Sequence, residues 1–378
     1  MRKQRSVKQS DVCAAIWIVK RKGSGKMSEI LLTIDGREVT AESGITIFQA
    51  AKKAGIQVPH LCCREDLSPT AACRLCVVEV EGLRNLVASC AYPIANKMVV
   101  RTNTPRVYDA QRLVIDFLLS DHPSDCMTCE KSGSCKLEKY AYELGIRQPR
   151  FQGEKHNYPV RATNPFYERD YNKCILCGRC VTVCHEVQYC EAVDHSQRGF
   201  YTKVAAPFDR SMQETPCVFC GNCVSVCPVG ALSEKAGRFQ GREWELQKIP
   251  TICPYCGVGC TLILNVKNNK VIKVTSDKDL GVNRGWTCVK GRFGFDYIHS
   301  PDRLTNPLIK EGDQFRTASW DESLDAVARR LKKVKEVHGP DAIGFLVSAK
   351  CTNEENYVLQ KLARAAIGTN NVDHCARL

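Results

Sequence analysis

No apolar run in this 378-residue chain approaches the ~18 residues that a membrane-spanning helix needs. A helical membrane span is therefore excluded within these residues. No G-x-G-x-x-G sits between a strand and a helix, and Gly257 and Gly259 have no such context, so the chain has no nucleotide-binding βαβ unit of its own. Charge is also less lopsided than it looks. The net charge is +13, but residues 1–26 hold eight Lys or Arg against one Asp, and the remainder carries 46 basic and 40 acidic residues. That excess is too weak and dispersed for nucleic-acid binding. The apolar stretch Val12 to Val19 has no A-x-A-like cleavage site after it, and basic residues follow, which argues against a secretory signal. Met27 opens a sequence with the form of a domain start. The expectation is that Met27 is the initiator and that residues 1–26 are a basic extension outside the native protein.

What the chain has is cysteine: 24 residues, most in clusters with metal-ligand spacing. Without a secretory signal this favours metal sites over disulfides and implies a reducing, cytoplasmic compartment. Between Cys174 and Pro228 lie CILCGRCVTVC and CVFCGNCVSVCP. Two C-x2-C-x2-C-x3-C runs read as a pair of [4Fe–4S] sites, in which three thiolates of each run hold one cluster and the fourth crosses to the other. Cys174, Cys177, Cys180 and Cys227 then form one set, and Cys184, Cys217, Cys220 and Cys223 the second. Zinc needs four ligands and no crossed fourth cysteine. The first run has His185 where the second has Pro228, which alters a turn and not the ligation.

Upstream, ILLTI, the Asp35-Gly36 turn and REVT predict a hairpin. Ile47, Ala50, Ala51 and Ala54 predict a helix that Gly55 ends. Cys62, Cys73, Cys76 and Cys90 then give C-x10-C-x2-C-x13-C, with Cys63 competing for the first place. The stretch resembles the [2Fe–2S] domain at the front of the large subunit of NADH:quinone oxidoreductase and of several hydrogenases and formate dehydrogenases. That resemblance favours Cys62, directly after the Pro-x-Leu turn Pro59-His60-Leu61. Residues 107–119 predict an amphipathic helix. After it His122, Cys126, Cys129 and Cys135 make H-x3-C-x2-C-x5-C, which alone suits Cys3His zinc as well as an iron–sulfur site. Its place between redox motifs favours iron and sulfur, and the same large-subunit family has a His-ligated [4Fe–4S] cluster at this pattern. Residues 150–170 read as a linker and 228–246 as a solvated basic segment.

Cys253, Cys256, Cys260 and Cys288 give C-x2-C-x3-C-x27-C around a hairpin turned at Asn268-Asn269. This resembles the [4Fe–4S] domain that opens molybdenum or tungsten bis-pterin oxidoreductases, and the resemblance makes Lys290 an electron-transfer residue between cluster and pterin. Near the end, Ser319 and Glu322 predict a capping box, followed by a helix with Leu324, Val327, Ala328, Leu331 and Val334 on one face. AIGFLVSA predicts a buried strand, and Asn353 a helix cap. Helix, strand, helix suggests the start of an α/β domain with a parallel sheet.

The last residues, NNVDHCARL, resemble the stretch that precedes the metal-ligating selenocysteine or cysteine of formate dehydrogenase catalytic subunits. The expectation is a chain ending at a UGA codon, with the catalytic residue after Leu378 and no catalytic residue within. A genuine short electron-transfer protein and a sequencing error are the alternatives.

The sequence thus predicts an α+β multi-module iron–sulfur protein: a basic extension at 1–26; a β-grasp [2Fe–2S] ferredoxin-like domain at 27–106; a His/Cys-ligated [4Fe–4S] domain at 107–149; a linker and double [4Fe–4S] ferredoxin domain at 150–245; a molybdopterin-oxidoreductase [4Fe–4S] domain at 246–302; and the start of a molybdopterin-binding domain at 303–378. The resemblance implies one [2Fe–2S] and four [4Fe–4S] clusters, with Mo- or W-bis(molybdopterin guanine dinucleotide) in the full-length protein. It implies formate oxidation to CO2 and iron–sulfur/flavin NAD(P)-reducing subunits, ferredoxin or hydrogenase subunits as partners. An NADH:quinone oxidoreductase large subunit is the competing resemblance. It usually carries one [4Fe–4S] cluster where this chain has two complete runs.

Overall fold

A computed structural model of the chain describes residues 28–375. The basic extension with Cys13, the start at Met27 and residues 376–378 lie outside the described residues. The chain forms two compact units. One takes the chain up to Val58 together with Val77–Val107, and the other takes Pro59–Cys76 and everything from Tyr108 onward.

In the first unit, β1 (Glu29–Ile34) and β2 (Arg37–Glu42) form the expected hairpin. Asp35 and Gly36 both have left-handed backbones, φ 50° and 79°, as a two-residue I′ turn requires. The helix α1 (Ile47–Lys53) opens on a capping box between Thr46 and Gln49 and ends before Gly55. β3 (Val77–Val80), β4 (Val87–Ala88) and β5 (Val99–Arg101) complete a sheet of order β2-β1-β5-β3-β4, in which β1 and β5 run parallel. Leu32, Ile34, Ile47, Ala50, Val78 and Val100 are buried. A mixed sheet with a single helix is the β-grasp arrangement.

The second unit begins with α2 (Pro105–Asp121) and α3 (Lys136–Glu143). Leu61, Leu75, Ile115, Leu137, Tyr140, Leu144, Val229 and Ala231 share one core. That core ties the loop before the [2Fe–2S] cysteines, both helices and the segment after the second cysteine run together. Residues 150–170 are anchored and not a free linker. Arg150 bonds to Asp116 through backbone and side chain. The His156 ring lies between the Asp121 carboxylate (2.5 Å) and the Phe200 carbonyl (2.6 Å).

β6 (Tyr167–Arg169), α4 (Arg179–Glu186), β7 (Asp194–Ser196), β8 (Lys203–Ala205), α5 (Asn222–Val226) and β9 (Leu232–Glu234) build the central module. β6 pairs antiparallel with β9, and β7 with β8. Downstream, β10 (Gln247–Ile252), β11 (Thr261–Lys267) and β12 (Lys270–Thr275) form an antiparallel sheet. Asn268 and Asn269 both have positive φ at its hairpin turn. α6 (Val289–Phe293) follows. A hairpin of β13 (Leu308–Glu311) and β14 (Gln314–Thr317) leads to α7 (Trp320–His338), β15 (Phe345–Val347), α8 (Asn353–Lys361) and β16 (Val372–His374).

Three local expectations change. Ser319 does cap α7, but no residue of that helix is buried, and Leu324 and Val327 face solvent. The strand in AIGFLVSA is short, pairs in parallel with β16, and leaves Leu346 88% exposed. The cap of α8 is Thr352, through a capping box with Glu355. Asn353 instead donates to the Gly257 carbonyl at 2.7 Å. No helix among the described residues is long and apolar enough to cross a membrane.

Candidate metal centres

The two central cysteine runs fold alike because their glycines sit at equivalent points. Gly178 (φ 75°) and Gly221 (φ 72°) start α4 and α5 in the left-handed conformation, and Leu176 and Phe219 are left-handed two residues earlier. This backbone turns successive N–H groups inward, a geometry that receives anions. The N–H of the residue two places on donates to the sulfur of Cys174, Cys177, Cys217 and Cys220. These bonds favour thiolate, but burial is larger in every case. It pushes the Cys177 and Cys220 thiols up to about 12. Four buried sulfurs facing one another can be held as thiolates only by a cationic group among them.

The grouping follows the crossed pattern. Cys174, Cys177, Cys180 and Cys227 line one cavity, with Arg169 in its wall. Cys184, Cys217, Cys220 and Cys223 line another. Cys190, unassigned by spacing, lines that second cavity as well and acts on the thiols of Cys184 and Cys217. Its place six residues past Cys184 belongs to no run, so no spacing rule could find it.

His122 is 9% exposed, and burial lowers its pKa. Its Nδ1 lies 2.9 Å from the Pro123 carbonyl, which assigns the proton to Nδ1. Nε2 is buried without a partner. A neutral imidazole with one nitrogen fixed by a carbonyl and the other bare is the form that binds metal. His122, Cys126 and Cys135 line one cavity, and Cys129 is the neighbour that raises the thiols of both cysteines, after burial. Among the described residues no three His, Cys, Asp or Glu side chains converge on a single ion. Tetrahedral zinc, with Zn–S near ~2.3 Å, would need such convergence, whereas a polynuclear cluster needs the space between.

The segment 228–246 is not a solvated basic face. Arg242 donates to the carbonyls of Met127 and Cys129, both at 2.6 Å, and so clamps the loop that carries two of the His122 set. A β-carbon on Gly230 would lie 2.5 Å from Cys129 Sγ. Lys136 N–H, directly after Cys135, donates to the Pro228 carbonyl, directly after Cys227.

Cys62, Cys73 and Cys76 belong to the second unit and Cys90 to the first. The Cys62 N–H lies 3.4 Å from Cys73 Sγ. Hydrogen bonding with the Cys62 side chain, and then burial, push the Cys73 thiol well up. Cys63 turns its carbonyl to the Arg179 guanidinium, so Cys62 is the member of the pair that meets Cys73. Around the last set, the Cys253 N–H donates to the Cys260 carbonyl at 2.9 Å. Cys288 and Cys256 raise the Cys253 thiol, behind burial. Lys290 is exposed on α6, two residues past Cys288. Arg292 on the same helix is 1% exposed and pairs with Glu234 at 3.2 Å.

Five ordered groups of sulfur and imidazole ligands, on small modules without a nucleotide site, define an iron–sulfur electron-transfer module of an oxidoreductase. Comparison with known proteins agrees along the whole sequence. Residues 27–105 match the 2Fe-2S iron-sulfur cluster binding domain, 111–150 the NADH-ubiquinone oxidoreductase-G iron-sulfur binding region, and 164–233 the ferredoxin-like domain of NADH-quinone oxidoreductase subunit 3. Residues 246–300 match the molybdopterin oxidoreductase Fe4S4 domain and 303–378 molybdopterin oxidoreductase. The chain belongs to the NADH-ubiquinone oxidoreductase-G and molybdopterin oxidoreductase family.

Among its relatives are "NADPH-Fe(3+) oxidoreductase subunit alpha" of Geobacter sulfurreducens (38% identical, 92% of this chain, 40% of the relative) and a G-type NADH-quinone oxidoreductase subunit of Rhizobium meliloti (40% identical, 92% and 40%). Another is "Putative formate dehydrogenase YrhE" of Bacillus subtilis (37% identical, 93% and 40%). The chain therefore spans about two fifths of the length of these relatives. A solved NAD+-reducing [NiFe]-hydrogenase chain superposes with a TM-score of 0.53 at 31% identity, over 57% of this chain and 91% of that one.

Proposed function

We propose that the chain is the electron-transfer portion of a formate dehydrogenase, which oxidises formate to CO2 and hands two electrons to a partner subunit. The observation that carries this reading is the pair of complete, crossed cysteine sets in the central module, followed by the molybdopterin-type set and the DHCARL ending. The proposed ligands are Cys62, Cys73, Cys76 and Cys90 for [2Fe–2S], and for the four [4Fe–4S] sites the His122, Cys174, Cys184 and Cys253 sets described above. When bound, such clusters accept and release single electrons, which lets a two-electron oxidation be drained in two steps.

The protein's part is to bury the sulfurs, aim backbone N–H groups at them and keep neighbouring sets in direct contact. The Lys136 to Pro228 hydrogen bond joins the His122 set to the Cys174 set. The bonds between Asn222 and Thr287 join the Cys184 set to the Cys253 set. Lys290 stands on the exposed side of the last set, where a pterin-binding domain would continue. NAD(P)-reducing, ferredoxin or hydrogenase subunits are the proposed partners, in a reducing cytoplasmic setting.

The second reading is a subunit of NADH:quinone oxidoreductase type, favoured by the two family models named for that enzyme and by the Rhizobium relative. Two measurements separate them. The gene is read past codon 378, where UGA followed by an in-frame pterin-binding sequence is expected. The complete product, purified without oxygen, is then assayed for formate-dependent viologen reduction and for about 18 iron atoms per chain, the sum for one [2Fe–2S] and four [4Fe–4S] sites. A product that holds this iron but transfers nothing from formate sinks the formate reading.

A further inference from the structure

We propose that Arg169 supplies a fixed positive charge, shared by the Cys174 and Cys184 sets, that sets the reduction potentials of both. This rests on reading those sets as [4Fe–4S] sites.

Arg169 is 8% exposed and sits at the end of β6, directly before the first cysteine run. Its backbone is pinned on both sides. It exchanges hydrogen bonds with Arg161 at 2.8 and 2.9 Å and pairs with Leu232 of β9. The side chain cannot swing to solvent. Nη1 donates to the Val204 carbonyl at 3.0 Å, and the Tyr171 ring lies 5.9 Å away. Nη2 is buried with no partner. Among the described residues no carboxylate pairs with it, in contrast to Arg292 with Glu234.

A guanidinium this deep, without an anion, costs several kcal/mol. The groups around it that can become anionic are sulfurs. Arg169 lines the cavity of Cys174, Cys177, Cys180 and Cys227, and its charge reaches the second set as well. It favours the thiolate at Cys174 and Cys180 of one set, and at Cys184 and Cys223 of the other. Conversely, burial works against the Arg169 charge while Cys180 and Cys223 work for it, and the net direction is upward.

A thiolate-ligated cluster gains one negative charge when it accepts an electron. A fixed cation beside it stabilises the reduced form more than the oxidised form and raises the potential. Because one guanidinium serves two sets, removing it should lower both together. Arg179 and Arg292 each lie against one end of the module and lack this shared position.

The test is potentiometric EPR titration with dithionite on the anaerobically purified full-length product, comparing wild type, Arg169→Gln and Arg169→Lys, with iron counted in each. Arg169→Gln is expected to keep its iron and to lower the reduced-to-oxidised ratio of both central clusters about tenfold at a fixed potential, about 59 mV for a one-electron couple. The [2Fe–2S] signal should stay in place. Arg169→Lys keeps the charge and should leave both clusters within about threefold of wild type. Unchanged potentials in an iron-replete Arg169→Gln protein overturn the proposal. So does a shift confined to one cluster, or a tenfold shift in Arg169→Lys. If Arg169→Gln does not fold, the lysine variant alone still decides, since charge is the only property it shares with arginine here. If the wild-type protein itself lacks two central [4Fe–4S] signals, it is the ligand reading that has failed and not the role of Arg169.

Discussion

Asn222 and Thr287 bond to each other in both directions. The Asn222 side-chain amide donates to the Thr287 carbonyl, and the Thr287 N–H donates to Asn222 Oδ1, each at 3.2 Å. Asn222 precedes Cys223 and Thr287 precedes Cys288, so a buried amide joins two cysteine sets through the shortest route that side-chain and backbone atoms allow. Asn222→Ala leaves both Thr287 groups buried and unsatisfied. It is expected to destabilise the protein by about 1–3 kcal/mol, read from denaturant unfolding under anaerobic conditions. Asn222→Asp should lose more, because it keeps one acceptor and adds a buried charge. Equal stability of wild type and Asn222→Ala would show that the joint carries no load.

Arg242 holds the loop of Met127 and Cys129 by two carbonyls. Arg242→Ala should release that loop and lose the His122 set while the other sets remain. Iron would fall by about four atoms per chain, with the [2Fe–2S] EPR signal unchanged. Loss of iron from every set at once would instead point to general unfolding.

His122 is neutral and fixed by the Pro123 carbonyl, so its replacement by a thiolate adds negative charge to the site. His122→Cys should retain iron and lower the potential of that cluster alone, in line with the raised potentials of His-ligated clusters. His122→Ala should lose about four iron atoms per chain. An unchanged potential in His122→Cys would show that the imidazole is not a ligand.

Five thiols surround the second central cavity. Cys184→Ala is expected to lower iron content by about four atoms per chain, whereas Cys190→Ala should leave it unchanged. The reverse result would transfer the fourth ligand from Cys184 to Cys190. Iron analysis and EPR of the two purified variants decide.

Much of this was readable from residue order. The hairpin at Asp35-Gly36, the turn at Asn268-Asn269 and the grouping of the central cysteines follow from local backbone chemistry and from ligand spacing, which act over a few residues. The cations were not readable. Arg169, Arg179, Arg242 and Arg292 stand in polar stretches where arginine is ordinarily solvated, and only tertiary packing buries them. The cap of α8 was misplaced by one residue because Thr352 and Asn353 are both good capping types. Thr352 takes the position because Glu355 completes its capping box, and Asn353 serves a bond 96 residues away. The exposed face of α7 has the sequence pattern of a core helix, since periodicity reports which face is apolar and not whether anything covers it.

The contact between Gly230 and Cys129 constrains how this region can vary. With no room for a β-carbon, and with Cys227 only three residues earlier in the chain, the stretch 227–230 works as a spacer of fixed length. Inserting or deleting one residue there would shift two ligand groups against each other, whereas the exposed turn at Gly312 could absorb the same change. Variation in length among related chains should therefore accumulate in such turns and stop at this spacer.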